Sequence, residues 1–141
     1  MRKSLPLIVS SAAFVLIMAA CGDSATPTPN ASSATGNPVQ SVADYLSARV
    51  KPDVDKMISL SCAAWEPNAR IEAQSTEGRK AVLAEGTQCR VASAQGDTAY
   101  IACTGKITTS YNGETRDFDL AQRQFKMVKE GGEWRMCGYK A

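Results

Sequence analysis

The sequence predicts an α+β domain in which N-terminal helices pack on a curved four-stranded antiparallel sheet. Three observations carry this. Apolar residues recur at helical spacing between Val39 and Ala73. From Thr87 onward they alternate at strand spacing, broken by turn signals at Gln95-Gly96-Asp97, Asn112-Gly113 and Gly131-Gly132. Residues 39–141, about 100 in all, suffice for a single domain with a modest core. Helices followed by strands is the order of a helical layer laid on a sheet.

The first helix is expected over Val39–Val50. Val42, Tyr45, Leu46, Arg49 and Val50 fall on one stripe at i, i+3, i+4, i+7 and i+8. Pro52 interrupts it, and Asp53 and Asp55 can open a second turn whose stripe is Val54, Met57, Ile58 and Cys62. Trp65, Ala69 and Ala73 suggest a further helix across Pro67, acceptable only near its start. Arg79–Glu85 reads equally well as helix or strand.

Gln88–Ser93 and Thr98–Cys103 flank Gly96 as a hairpin, which sets Val91 opposite Ile101 and Cys89 opposite Cys103. Lys106–Tyr111 meets the strong turn signal Asn112-Gly113, placing Ile107 opposite Phe118 and Gly105 opposite Leu120. Phe118 and Leu120 occupy even positions and Phe125 and Met127 odd ones, so a bulge is expected near Ala121–Gln124. Val128–Arg135 forms a last hairpin over Gly131-Gly132, returning through Met136, Cys137 and Tyr139.

Ahead of this domain the chain reads as a lipoprotein precursor. Arg2 and Lys3 precede an apolar run to Ala20 of about 16 residues, shorter than the roughly 20 of a membrane span. Met18-Ala19-Ala20-Cys21-Gly22 resembles the lipobox of bacterial lipoproteins, departing from it in Met18 where Leu is usual. Residues 1–20 are therefore expected to be a signal peptide. Cys21 is the expected lipidation site, anchored through membrane lipid by two or more acyl chains, since one holds only marginally. Residues 21–38, rich in Ser, Thr, Pro and Ala, form a flexible tether with nothing to bury.

With Cys21 used for lipid, Cys62, Cys89, Cys103 and Cys137 remain, an even set in an exported chain. Cross-strand geometry selects Cys89–Cys103, and Cys62–Cys137 follows by elimination. The chain has no histidine and no C-x-x-C spacing, so neither a zinc site nor a redox motif is expected, and no cofactor. The formal charge of +2 loses Arg2 and Lys3 with the signal. The neutral mature chain has no basic stripe for nucleic acid.

The stretches Val42-Ala43-Asp44-Tyr45-Leu46, Asp53-Val54-Asp55-Lys56-Met57, Ala99–Gly105 and Glu130-Gly131-Gly132-Glu133-Trp134-Arg135 together resemble the nuclear-transport-factor-2-like (cystatin-like cone) superfamily. Within it the chain is similar to small bacterial lipoproteins of unassigned function. The resemblance implies a cone with an apolar pocket between helices and sheet. Enzymes of that superfamily, such as ketosteroid isomerase and scytalone dehydratase, place Asp, His or Tyr there.

No residue set amounts to a catalytic motif. Asp44 is expected on the solvated face of the first helix and Tyr45 on its buried stripe. Tyr100 and Tyr111 could line a ligand mouth, with Tyr111 beside its turn more readily a hairpin brace, and Trp65 and Trp134 are core or sheet-face anchors. Asp117 and Asp119 share a solvated strand face, with Phe118 and Leu120 on the other. The expectation is a lipid-anchored, extracytoplasmic, non-catalytic domain, at the cell membrane or outer membrane, that binds a small apolar ligand or an envelope protein. An isomerase- or dehydratase-like enzyme using a pocket carboxylate, and a protein inhibitor similar in layout to lipidated lysozyme inhibitors, are the alternatives.

Overall fold

A computed structural model describes residues 36–141; the signal segment 1–20, Cys21 and the tether through residue 35 lie outside the described residues. Helix α1 spans Pro38–Val50. Asn37 caps it by accepting from the Val39 amide at 2.9 Å, and Pro38 occupies the first turn, where its missing N–H costs nothing. Asp53 caps α2, Val54–Ser59, by accepting from the Lys56 amide at 3.0 Å. Helix α3 covers Glu66–Thr76 with Pro67 at its start.

Seven strands follow: β1 Lys80–Leu83, β2 Gln88–Gln95, β3 Thr98–Thr104, β4 Lys106–Tyr111, β5 Glu114–Asp119, β6 Gln124–Glu130 and β7 Glu133–Lys140. The ambiguous stretch after Arg79 is thus a strand, settled by tertiary pairing with β4 that no local pattern encodes. Hydrogen bonding divides the strands into a four-stranded sheet, β2-β3-β6-β7, and a three-stranded sheet, β1-β4-β5. The two are halves of one long bent hairpin: β3 runs into β4 through Gly105, and β5 runs into β6 through a 3-10 turn at Leu120–Gln122. The Leu120 amide donates to Gly105 O across the bend at 3.0 Å. The four-stranded curved sheet is therefore present, and the second sheet is its bent continuation, paired separately.

The hairpin registers are Cys89↔Cys103, Val91↔Ile101 and Ile107↔Phe118. The expected bulge at Ala121–Gln124 is a correction. The inward face changes parity there through the 3-10 turn, and the register shifts lie elsewhere, between Val91 and Ser93 and between Phe125 and Met127. Gly105 sits at the bend with φ +109°, and a Cβ there would lie 2.5 Å from Thr87 Oγ1. Only glycine fits this corner.

The core joins Val42, Tyr45 and Leu46 of α1, Met57 of α2, and Ala69 and Ala73 of α3 to Ile101, Leu120, Phe125, Met127 and Met136 of the sheet. Two cystines brace it. Cys89–Cys103 spans β2 and β3, and Cys62–Cys137, with Cα atoms 5.3 Å apart, joins the α2–α3 connection to β7. Beside the latter, the Cys62 amide donates to Met136 O and the Met136 amide to Leu60 O, both at 2.8 Å. This segment covers the open edge of β7, which would otherwise present unpaired backbone groups. Disulfides of this kind belong to an oxidising, extracytoplasmic compartment. Among the described residues no helix is long and apolar enough to cross a membrane.

Candidate functional site

Arg49 lies on the buried stripe of α1, one turn after Tyr45, and Glu72 lies on the face of α3 that carries Ala69 and Ala73. The two helices and β7 bring these polar groups together beneath the apolar layer. Glu72 Oε2 accepts from Tyr45 Oη at 2.9 Å and from Tyr139 Oη at 3.1 Å. Arg49 Nη1 donates to Tyr139 Oη at 3.2 Å and stands 3.9 Å from Glu72 Oε2, the two side chains 13% and 16% exposed. Trp65 Nε1 donates to Tyr45 Oη at 3.3 Å, and its ring meets Tyr139 edge-on at 5.6 Å.

Burial pushes the Tyr45 phenol well above its ordinary range, and the negative charge of Glu72 adds to this. Tyr139 is raised for the same two reasons in the same order, with Arg49 acting against them. Both phenols are thus held as neutral donors. Glu72 Oε2 already accepts two hydrogen bonds, which is most of what one carboxylate oxygen can take.

Outward from Arg49 a cleft of about 330 Å³ opens between the C-terminal end of α3 and the inner face of β4 and β5. Ile107 and Phe118 form its apolar floor, and Arg49, Arg79 and Arg116 line it together with one acidic residue, Asp117. Phe118 carries the Arg49 guanidinium at 5.0 Å and that of Arg123 at 4.5 Å. Strand alternation decides which groups enter. Thr109 and Arg116 face each other in register, as do Ile107 and Phe118, while Thr108 and Asp117 take the opposite face. There Asp117 accepts from Lys106 Nζ at 2.6 Å and Thr108 Oγ1 at 2.7 Å. These bonds, that of Lys106 first, hold its carboxyl below the usual range.

The residues singled out from the sequence are dispersed. Asp44 is half-buried on α1 and accepts from Gln40 Nε2 at 2.9 Å. Tyr45 is buried, and it and Trp65 are the members of that set inside the polar network. Tyr100 lies under Lys140, 5.0 Å from its ring. Tyr111 is exposed beside its turn, with Arg79 stacked on it at 5.8 Å. Trp65 and Trp134 pack against the core. Asp119 is exposed and caps the 3-10 turn by accepting from the Ala121 amide at 2.8 Å. Sequence reasoning missed Glu72, Tyr139, Arg79 and Arg116. Arg49 was in view on an apolar stripe, and a guanidinium there signals a buried partner. Among the described residues no cluster of His, Cys, Asp or Glu is arranged to hold a metal ion.

No family profile and no curated protein matches the sequence. Among solved structures, a candidate dehydratase of the NTF2-like family from Streptomyces avermitilis superposes with a TM-score of 0.50. It is 14% identical, and the match covers 71% of this chain and 88% of that one. At that identity the likeness establishes the NTF2-like α+β fold.

Proposed function

We propose that the protein is an exported lipoprotein, cleaved before Cys21 and anchored through acyl chains on that residue, whose domain binds a small molecule without turning it over. The carrying observation is the pairing of an open cleft with a closed network. A cleft of about 330 Å³ with an apolar floor of Ile107 and Phe118 is available to a ligand. The carboxylate behind it is committed to Tyr45, Tyr139 and Arg49. A general base needs a lone pair aimed at substrate, whereas Glu72 is not among the residues that line the cleft and Asp117, which is, is bound to Lys106 and Thr108.

The anchor rests on Met18-Ala19-Ala20-Cys21 behind a charged and apolar leader, and the two disulfides support export. A tether ahead of the Asn37 cap, residues 22–36, could reach about 50 Å when stretched and would hold the domain off the bilayer. In a single-membrane host that places it at the cell surface, and in a two-membrane host on either membrane.

Glu72 beside two phenols also favours a second reading, an enzyme that uses a pocket carboxylate. The superposed structure is named as a candidate dehydratase. Two experiments test the proposal. Mass spectrometry of the mature chain should find residue 21 as an acylated N-terminal cysteine, and a free N-terminus elsewhere refutes the anchor. Ligand binding should survive Glu72→Gln in a folded variant. A turnover activity that this substitution abolishes while binding persists would establish the enzyme instead.

A further inference from the structure

Resting on the reading of the cleft as a ligand site, we propose that its ligand is a small organic anion, a carboxylate, sulfonate or phosphate carried on a flat apolar body. Arg79 enters from the turn after α3, Arg116 from β5 and Arg49 from α1, so three guanidiniums from separate elements converge on one cavity. Among the described residues, no carboxylate lies within 4.0 Å of the Arg79 or Arg116 guanidinium. Glu114 shares the small adjoining depression with both and pairs with neither.

The other polar groups of the cleft are already engaged. Ser75 Oγ donates to Glu72 O at 2.7 Å, Thr76 Oγ1 to Ala73 O at 2.8 Å, and Thr109 Oγ1 to Arg116 O at 3.3 Å. Asp117 also lines the cleft, and its carboxylate is neutralised by Lys106 Nζ and Thr108 Oγ1. What remains for a ligand is guanidinium N–H and apolar surface. A planar fork of N–H donors fits the paired oxygens of carboxylate, sulfonate or phosphate. Arg79 and Arg116 are both exposed, so their gain from an anion comes from bidentate hydrogen bonding and is screened by salt. Ile107 and the Phe118 ring, which already carries the Arg49 and Arg123 guanidiniums, supply the apolar surface beside which the apolar body would pack. The cavity is of small-molecule size, which excludes a folded partner or a nucleic-acid strand as the occupant of its interior.

The test compares 2-naphthoate with its neutral amide, 2-naphthamide, by calorimetric titration of the full lipidated chain in phosphatidylcholine nanodiscs. The naphthoate should bind more tightly by at least about tenfold. The preference should disappear in Arg79→Gln/Arg116→Gln and weaken with added salt. Should that double variant fold poorly, Arg116→Lys keeps the charge, loses the fork and should lose most of the preference. Equal binding of the two probes overturns the anion and leaves the ligand site standing. No binding of either overturns the ligand site itself. Loss of naphthoate binding when phosphatidylglycerol replaces phosphatidylcholine supports the anion and assigns it to a lipid headgroup. Unchanged binding supports a soluble one.

Discussion

Glu72→Gln tests the buried network directly, because it keeps the side-chain shape and removes the charge. In the wild type Oε2 receives Tyr45 Oη at 2.9 Å and Tyr139 Oη at 3.1 Å. A hydrogen bond to a charged group is worth about 1.5–3 kcal/mol and a neutral one about 0.5–1.5 kcal/mol. Neutralising the acceptor therefore weakens the pair of bonds by about 2 kcal/mol together. Arg49 adds a further contribution. At 3.9 Å and 13% exposure its attraction to Glu72 exceeds that of a surface pair, though desolvation offsets much of it. The expected loss is about 2–3 kcal/mol for Glu72→Gln and about 4 kcal/mol for Glu72→Ala, which also strands two phenols and a guanidinium. Urea unfolding at neutral pH, followed by tryptophan fluorescence, measures both. A second readout separates charge from packing. In a spectrophotometric titration the two buried phenols should ionise at lower pH in Glu72→Gln than in the wild type, because one of the two main causes of their elevation is gone while burial remains. Glu72→Gln unfolding within about 0.5 kcal/mol of the wild type, the range of an ordinary surface change, with an unmoved phenolate titration, would refute the network.

Three further outcomes are expected. Removing Cys62–Cys137, which closes 75 residues, by paired alanines should cost about 4.5 kcal/mol against about 3 kcal/mol for Cys89–Cys103, which closes 14, and denaturant midpoints give the ranking. The tyrosines make stability fall at alkaline pH. Their folded-state values are raised, so the contribution is whole below the unfolded value near 10 and declines above it by at most about 1.4 kcal/mol per pH unit for each phenol. Tyr45→Phe/Tyr139→Phe should flatten that decline in unfolding curves taken from pH 9 to 12. Gly105→Ala should lose about 2–3 kcal/mol, from a strained φ of +109° and from contact with Thr87 Oγ1, and Thr87→Ala in the same chain should recover only the steric part.

Much of the fold could be read from local pattern because its strands signal themselves. Asn112-Gly113 fixes one hairpin and thereby the pair Ile107 and Phe118. The hairpin over Gly96 fixes Cys89 against Cys103. What the pattern did not yield is where one strand stops and another begins. Phe118, Leu120, Phe125 and Met127 announce a change of parity, but a bulge and a turn between two half-sheets produce the same alternation. The difference lies in β1, whose four residues pair with β4 alone and pull the distal half of the hairpin into its own sheet.

The site is harder to read for a related reason. Glu72 and Tyr139 are 67 positions apart and Arg49 and Tyr139 are 90 apart, so the contacts that define the network are tertiary and carry no spacing signal. The cleft adds a second lesson about charge. The strand Glu114-Thr115-Arg116-Asp117-Phe118-Asp119 carries three acidic residues and one basic, and by composition it repels an anion. The pleat separates these charges. Arg116 and Phe118 share one face of the strand, while the Asp117 carboxylate, at the rim of the cleft, is bound by Lys106 and Thr108. A slip of one residue in the β4–β5 register would exchange the two sets, placing Asp117 against Arg49 and exposing Phe118. The Asn112-Gly113 turn that fixes Ile107 against Phe118 therefore also fixes the sign of the field inside the cleft. A chain with a formal charge of only +2 can in this way hold a cleft lined by three arginines, because the charge a ligand meets is set by strand register and net charge does not record it.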